Sequence, residues 1–175
     1  MHSKKGVSPV IATVLLLVLT LVIVSILSVF VIPFVKNSLT GSKDCVDVLG
    51  GIRFDEGSAY NCKTATRTGF SVRIDNPNIV GFKLSLYAQG VANPYRIENG
   101  SSYPVLRMLS TPAPAFGTPL EVPVEGGLRT YVANGVYDRI EVNPILKNGK
   151  LCDAREQIEL QTCTDQNVVA RLATP

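Results

Sequence analysis

Residues 10–35, VIATVLLLVLTLVIVSILSVFVIPFV, run for 26 positions without a charge. A helix needs about 20 predominantly apolar residues to cross the hydrocarbon layer of a bilayer, so this stretch can cross with several to spare. Its polar interruptions are Thr13, Thr20, Ser25 and Ser28. Each can return a hydroxyl hydrogen bond to a carbonyl one turn earlier, or bond to a neighbouring helix. Because the run has no polar face to give to water, it must be surrounded by lipid or by other apolar surfaces. A secretory signal has an apolar core of about 7–15 residues followed by a small-residue cleavage site. Here the run is longer and no such site follows it, so cleavage at its far end is not expected.

The flanks set the bounds and the direction of the helix. Ser8 suits the N-cap, and Pro9 suits the first helical position, where its missing N–H removes no ladder bond. Pro33 predicts a kink, with helix continuing to Leu39 and Gly41 ending it. Lys4 and Lys5 precede the run, and by the positive-inside rule they hold the N-terminus in the cytoplasm and send the rest of the chain outward.

The other 135 residues after position 40 have the size of one ordinary domain, although the whole chain is 46% hydrophobic with mean hydropathy +0.22. Apart from Lys4 and Lys5 the chain carries fifteen basic and fourteen acidic residues. That balance leaves no basic footprint for nucleic acid. The four cysteines, Cys45, Cys62, Cys152 and Cys163, all follow the apolar run, on the side expected to be exported. Two disulfides are predicted there. Four cysteines allow three connectivities, of which Cys45–Cys62 with Cys152–Cys163 is favoured because each closes a short loop. Free thiols are the competing reading. Zinc is disfavoured, since no CxxC pair occurs and the sole histidine is His2.

Beyond Gly41 the period changes to two. Phe70–Ile74, Phe82–Leu86 and Ile140–Val142 alternate apolar with polar residues, as strands with one buried face do. Turn formers separate them: Asp75–Asn78, Ala92–Pro94, and Asn-Gly pairs at Asn99, Asn134 and Asn148. The expected fold class is α+β, a long N-terminal apolar helix followed by an antiparallel β-sandwich-like head. Leu109–Pro123 holds four prolines and one glycine. It reads as a linker crossing between sheets in preference to an exposed contact loop. The tail from Thr164 to Pro175 lacks alternation and is expected to fray.

No catalytic centre is apparent. His2 lies before the apolar run, Asp55-Glu56 are adjacent and on a strand would point to opposite faces, and no nucleophile elbow, phosphate loop or metal-spaced cluster occurs. No metal or cofactor is expected. Asn99-Gly100-Ser101 is the one N-x-[ST] sequon. It is a possible glycosylation site in an exported half, although Asn-Gly is equally explained as a turn.

The order basic pair, glycine, Ser-Pro and unbroken apolar run in "KKGVSPVIATVLLLVLTLVIV", residues 4–24, resembles the N-terminus of archaeal type IV pilins with their class III signal. The segment 69–90, GFSVRIDNPNIVGFKLSLYAQG, with strands flanking an Asn-Pro turn, resembles the β-domain of archaeal pilins and archaellins more weakly. The first resemblance implies cleavage by a prepilin peptidase between Gly6 and Val7, on the cytoplasmic side, with Lys4 and Lys5 discarded and the helix kept. It also implies an assembly ATPase, a membrane platform, and self-association as a helical homopolymer. Bacterial pilins carry Glu at the fifth mature position, where this chain has Ile11, so the likeness is to the archaeal branch. Archaellins share the leader but more often start with a Gly-rich segment.

The expected organisation is a leader at 1–6, a membrane and filament-core helix at 7–40, and an extracellular β-rich head at 41–175. The expected role is a structural subunit of a pilus-like surface filament serving adhesion, held in the membrane as a precursor. The alternative is a solitary membrane-anchored binding domain, or a minor pilin-like subunit of a secretion or adhesion complex.

Overall fold

The computed structural model describes residues 9–173. Helix α1 spans Pro9–Val46, 38 residues. By chain contacts the protein divides into two compact units, Met1–Asp44 and Cys45–Pro175.

The helix outruns its expected end. Gly41 lies inside α1, and helix continues to Val46. A glycine in a helix interior weakens it by about 1 kcal/mol, too little to stop a helix whose next residues continue it. The glycine that does break the chain direction is Gly50, with φ +69°. It follows a turn in which the Leu49 N–H donates to the Val46 carbonyl at 3.1 Å and the Gly51 N–H to the Val48 carbonyl at 2.9 Å. Pro33 likewise lies within α1 without ending it.

The head is built from two sheets. The first contains β1 (Ile52–Phe54), β2 (Cys62–Lys63), β3 (Arg67–Ile74), β6 (Leu106–Met108), β7 (Gly127–Asn134) and β10 (Gln161–Thr162). Its order is β10-β2-β3-β7-β6, with β1 also pairing β3. The second contains β4 (Ile79–Ala88), β5 (Val91–Glu98), β8 (Arg139–Leu146) and β9 (Glu156–Glu159), in the order β5-β4-β8-β9. All pairs are antiparallel except β10 with β2. The three alternating segments read from the sequence are thus the central strands β3, β4 and β8. Their apolar residues, Phe70, Val72 and Ile74, Phe82, Leu84 and Leu86, Ile140 and Val142, are all buried in one cluster. Tyr131 joins the two layers: its ring stacks on Phe70 at 5.5 Å and takes Phe82 edge-on at 5.8 Å.

Three expectations about connections are corrected. Ala92-Asn93-Pro94 is not a turn but part of β5; the turn is Gln89-Gly90, both with positive φ, closing a two-residue hairpin. Counting from that hairpin, Pro94 opposite Ser85 falls at a non-hydrogen-bonded position, so its missing N–H is on the open edge. The same edge is closed elsewhere by the Ser101 hydroxyl, which accepts the Glu98 N–H at 3.2 Å, and by the Tyr103 hydroxyl, which donates to the Arg96 carbonyl at 2.6 Å. Leu109–Pro123 does not cross between sheets: it returns β6 to its own neighbour β7, and Leu120 and Val122 are buried in the core.

The tail is the third correction. Gln166–Ala173 forms helix α2, with Val168 and Leu172 buried. Asp165 caps it by accepting the Asn167 N–H at 2.8 Å. Beneath it lies Gly69, where a Cβ would stand 2.6 Å from the Tyr60 carbonyl oxygen and 2.9 Å from a Leu172 methyl. Only hydrogen lets the helix sit so close. At its other end the Leu172 carbonyl accepts from Arg67 Nη1 at 2.7 Å and from the fully buried Arg107 Nη2 at 3.3 Å.

Burial pushes the Tyr131 hydroxyl well above the ordinary tyrosine value, and Tyr137 is raised for the same reason. Both groups therefore favour the folded state fully below pH about 10, where the unfolded tyrosine is protonated too, and lose that contribution as the pH rises further. Tyr131 also donates to the Glu121 carbonyl at 2.6 Å. Tyr131→Phe is expected to lower stability at pH 8 by about 1 kcal/mol and to flatten the alkaline fall by up to about 1.4 kcal/mol per pH unit. Urea unfolding of both chains between pH 8 and 12 checks this; parallel curves above pH 10 would contradict it.

Candidate assembly helix and head surfaces

The chemistry of α1 is that of a rod with no water-facing side. From Ile11 to Val29 every side chain is exposed. That 19-residue stretch is long and apolar enough to cross a membrane. Its hydroxyls are bonded inward: Thr20 Oγ1 donates to the Leu17 carbonyl at 2.8 Å, Ser25 Oγ to that of Leu21 at 2.8 Å, and Ser28 Oγ to that of Val24 at 2.9 Å. The helix therefore offers a neighbour van der Waals surface with its polar atoms already satisfied.

The expected processing residues Lys4, Lys5, Gly6 and Val7, and the cap Ser8, lie outside the described residues. Pro9 is the first residue of α1.

All four cysteines are bonded, but not in the sequence-local pairs expected. Cys45 joins Cys152 and Cys62 joins Cys163. The reason is the sheet: parallel pairing of β10 with β2 sets Gln161 opposite Cys62, and Cys163 follows two residues later. Cys45 belongs to the last turn of α1, and Cys152 follows β8, where its N–H donates to the Pro144 carbonyl at 3.0 Å. Both bridges therefore span more than a hundred residues, with separations of 107 and 101.

Asn99 is exposed in the turn after β5, beside Gly100 with φ +86°. Its Oδ1 accepts the Val122 N–H at 2.7 Å, so the side chain pins a second segment as well as serving the turn. Charged groups on the second sheet are mutually engaged. Glu141, nearly buried, accepts from the Tyr87 hydroxyl at 2.9 Å and lies 3.5 Å from Arg139 Nε, while Arg139 covers the Tyr87 ring at 4.1 Å. Lys63 Nζ pairs with Asp138 at 2.6 Å; that bond and the Gln89 N–H hold the Asp138 carboxyl below its usual range. Among the described residues no three His, Cys, Asp or Glu side chains are grouped to hold a metal ion.

Compared with known families, residues 5–39 match the archaeal type IV pilin N-terminal family. That segment is similar to an archaeal type IV pilin N-terminus. The pilin match covers 35 of the 175 residues and stops before the head. No curated protein matches the chain. The matched range includes Lys5 through Pro9 and the apolar run. The head is mostly antiparallel, in two sheets, and bears two disulfides.

Proposed function

We propose that this chain is a structural subunit of an archaeal type IV pilus-like surface filament serving adhesion. The observation that carries the reading is the pilin N-terminal match on a helix exposed and apolar all round. Such a helix is stable in lipid and equally stable among copies of itself, so transfer from membrane to filament exchanges one apolar environment for another. Contacts that repeat head to tail without closing then build a filament instead of a ring.

Maturation makes that transfer possible. Lys4 and Lys5 anchor the precursor's N-terminus on the cytoplasmic face, and carrying them through the bilayer would cost about 2.5–3.5 kcal/mol each. Cleavage between Gly6 and Val7 by a prepilin peptidase removes both. An assembly ATPase and a membrane platform complete the set of partners. The organisation proposed is leader 1–6, helix 7–40 and head 41–175, with the head outside the cell and Asn99 open to glycosylation. The filament needs no catalysis from the subunit itself.

Gly6→Val is expected to leave the chain as uncleaved precursor in the membrane fraction and to abolish its filaments. Intact mass of the wild-type mature protein should correspond to a start at Val7, with any glycan mass confined to the Asn99 peptide. A Gly6→Val product that still begins at Val7 would overturn the cleavage assignment.

A further inference from the structure

The two sheets of the head come together where a single residue, Leu160, carries the chain from β9 of the second sheet to β10 of the first. A cleft of about 440 Å³ opens there, a size that holds a small molecule. The first sheet contributes Lys63 and Gln161, the second Tyr87, Arg139 and Glu159, and the connection between β7 and β8 contributes Asp138. The cleft lies at the end of the head away from where the chain enters. Entry is beside the end of β3, where the Asp75 N–H donates to the Gly51 carbonyl at 2.8 Å, and residues 75–78 then lead into β4, whose far end carries Tyr87.

Part of this polar lining is held in place. Lys63 Nζ bridges the sheets to Asp138 Oδ1 at 2.6 Å, and the other oxygen of Asp138 accepts the Gln89 N–H at 3.4 Å. The Arg139 guanidinium lies over the Tyr87 ring, 4.1 Å from its centroid, with Nε 3.5 Å from Glu141. Glu141 is itself nearly buried and accepts from the Tyr87 hydroxyl at 2.9 Å. Exposed ion pairs are weak because two long side chains must be kept in one geometry. Here each pair has a second contact that keeps it. By contrast, the Nη groups of Arg139, the Glu159 carboxylate and the Gln161 carboxamide take no hydrogen bond among the described residues.

Resting on the adhesion part of the reading above, we propose that this cleft is a ligand site and that its ligand is a neutral saccharide of the surface to which the chain adheres. Three features select that chemistry. The first is charge: Lys63 and Arg139 balance Asp138 and Glu159, so the lining draws in neither an anion nor a cation. The second is polarity. Apart from Gly90 and Leu160 every lining side chain carries a polar group, which suits hydroxyls and penalises an apolar ligand. The third is pairing: a sugar hydroxyl both donates and accepts, and the cleft offers donors on Lys63 and Arg139, acceptors on Glu159, and both on Gln161. The Arg139 fork and the Glu159 carboxylate can each span two neighbouring hydroxyls. Because Arg139 is already seated on Tyr87, little further ordering is needed on binding.

The test uses the full chain, purified in a zwitterionic detergent that carries no sugar, on an array of neutral and acidic oligosaccharides with inorganic phosphate as competitor. Neutral oligosaccharides are expected to be bound, and phosphate should not displace them. Glu159→Ala and Arg139→Lys are each expected to weaken the best-bound glycan at least about tenfold. Glu125→Ala should leave it unchanged, since Glu125 sits at the other end of the head, next to Gly126, whose N–H donates to the Ile74 carbonyl at 2.7 Å. The Glu159 carboxylate has no partner to lose among the described residues, so Glu159→Ala should melt with the wild type and keep the test independent of folding. Arg139→Lys keeps the charge and removes the fork. No neutral oligosaccharide bound, acidic ones bound alone, displacement by phosphate, or wild-type binding by either variant would overturn the proposal. The solubilised chain need not assemble for this measurement. Failure of the adhesion reading looks different: cells lacking the chain would adhere as well as wild type, even with the saccharide bound on the array.

Discussion

A chain with both Cys45 and Cys152 replaced by serine is expected to lose about 4–5 kcal/mol of head stability, and its melting temperature should fall by roughly 15 °C or more. The bridge closes a loop of 107 residues. In the chain-entropy account, a loop of about 100 residues restrains the unfolded chain by about 4.7 kcal/mol, whereas one of about 15 residues gives about 3. The magnitude therefore separates the long-range pairing from the local one. Removing a local Cys45–Cys62 bridge would cost the smaller amount, and Cys45→Ser would leave Cys152 paired with Cys163. Thermal unfolding with peptide mapping under non-reducing conditions reads both points. A drop of only a few degrees, or a Cys152–Cys163 peptide in wild type, would contradict the observed pairing. The bridge also ties the last turn of the helix to the head, so its loss should weaken any filament under shear before it affects helix insertion.

The second large effect concerns α1. Leu16, Leu17 and Val18 point about 100° apart around the helix, and all three are exposed. An amphipathic helix would tolerate a charge on one of these faces. Here each of Leu16→Asp, Leu17→Asp and Val18→Asp is expected to cost about 2.5–3.5 kcal/mol of membrane insertion near the middle of the span, roughly a hundredfold in the inserted fraction. Any chain that does insert must then bury the carboxylate among neighbouring helices. Filament yield should fall by at least the same factor for all three. Carbonate extraction of membranes and weighed filament preparations check it. One variant assembling normally would give the helix a solvent face and contradict the all-round burial on which the assembly reading depends.

Much of the architecture was legible because it is local. An uncharged run announces α1, and the period of two in Phe70–Ile74, Phe82–Leu86 and Ile140–Val142 announces the central strands. What the residues do not announce is who pairs with whom. β3 binds β7 across sixty residues, and that non-local choice, together with β10 lying parallel to β2, decides the disulfides. Gly41 and Gly50 look alike in sequence; only a positive φ and the turn bonds identify Gly50 as the break. Pro94 reads as a turn former, yet it fits a strand because that strand is an edge.

The short helix α2 was within reach. Asp165 as a cap, with Val168 and Leu172 four apart, is a helical pattern, but eight residues hold helix only when packed. What they pack on includes the bare backbone at Gly69, and neither Gly69 nor the Arg67 and Arg107 bonds to Leu172 carries a sequence signal. The site divides in the same way. The leader motif at Lys4–Pro9 is contiguous and readable. The disulfide partners lie 107 and 101 residues apart, and only the fold brings them together.

The composition of purified surface filaments tests the central claim most directly. Filaments sheared from cells, separated from membranes and analysed by mass spectrometry should contain this chain as a main component, beginning at Val7 and carrying both the helix and the disulfide-bonded head. A chain absent from those filaments and recovered wholly in the membrane fraction would contradict the account.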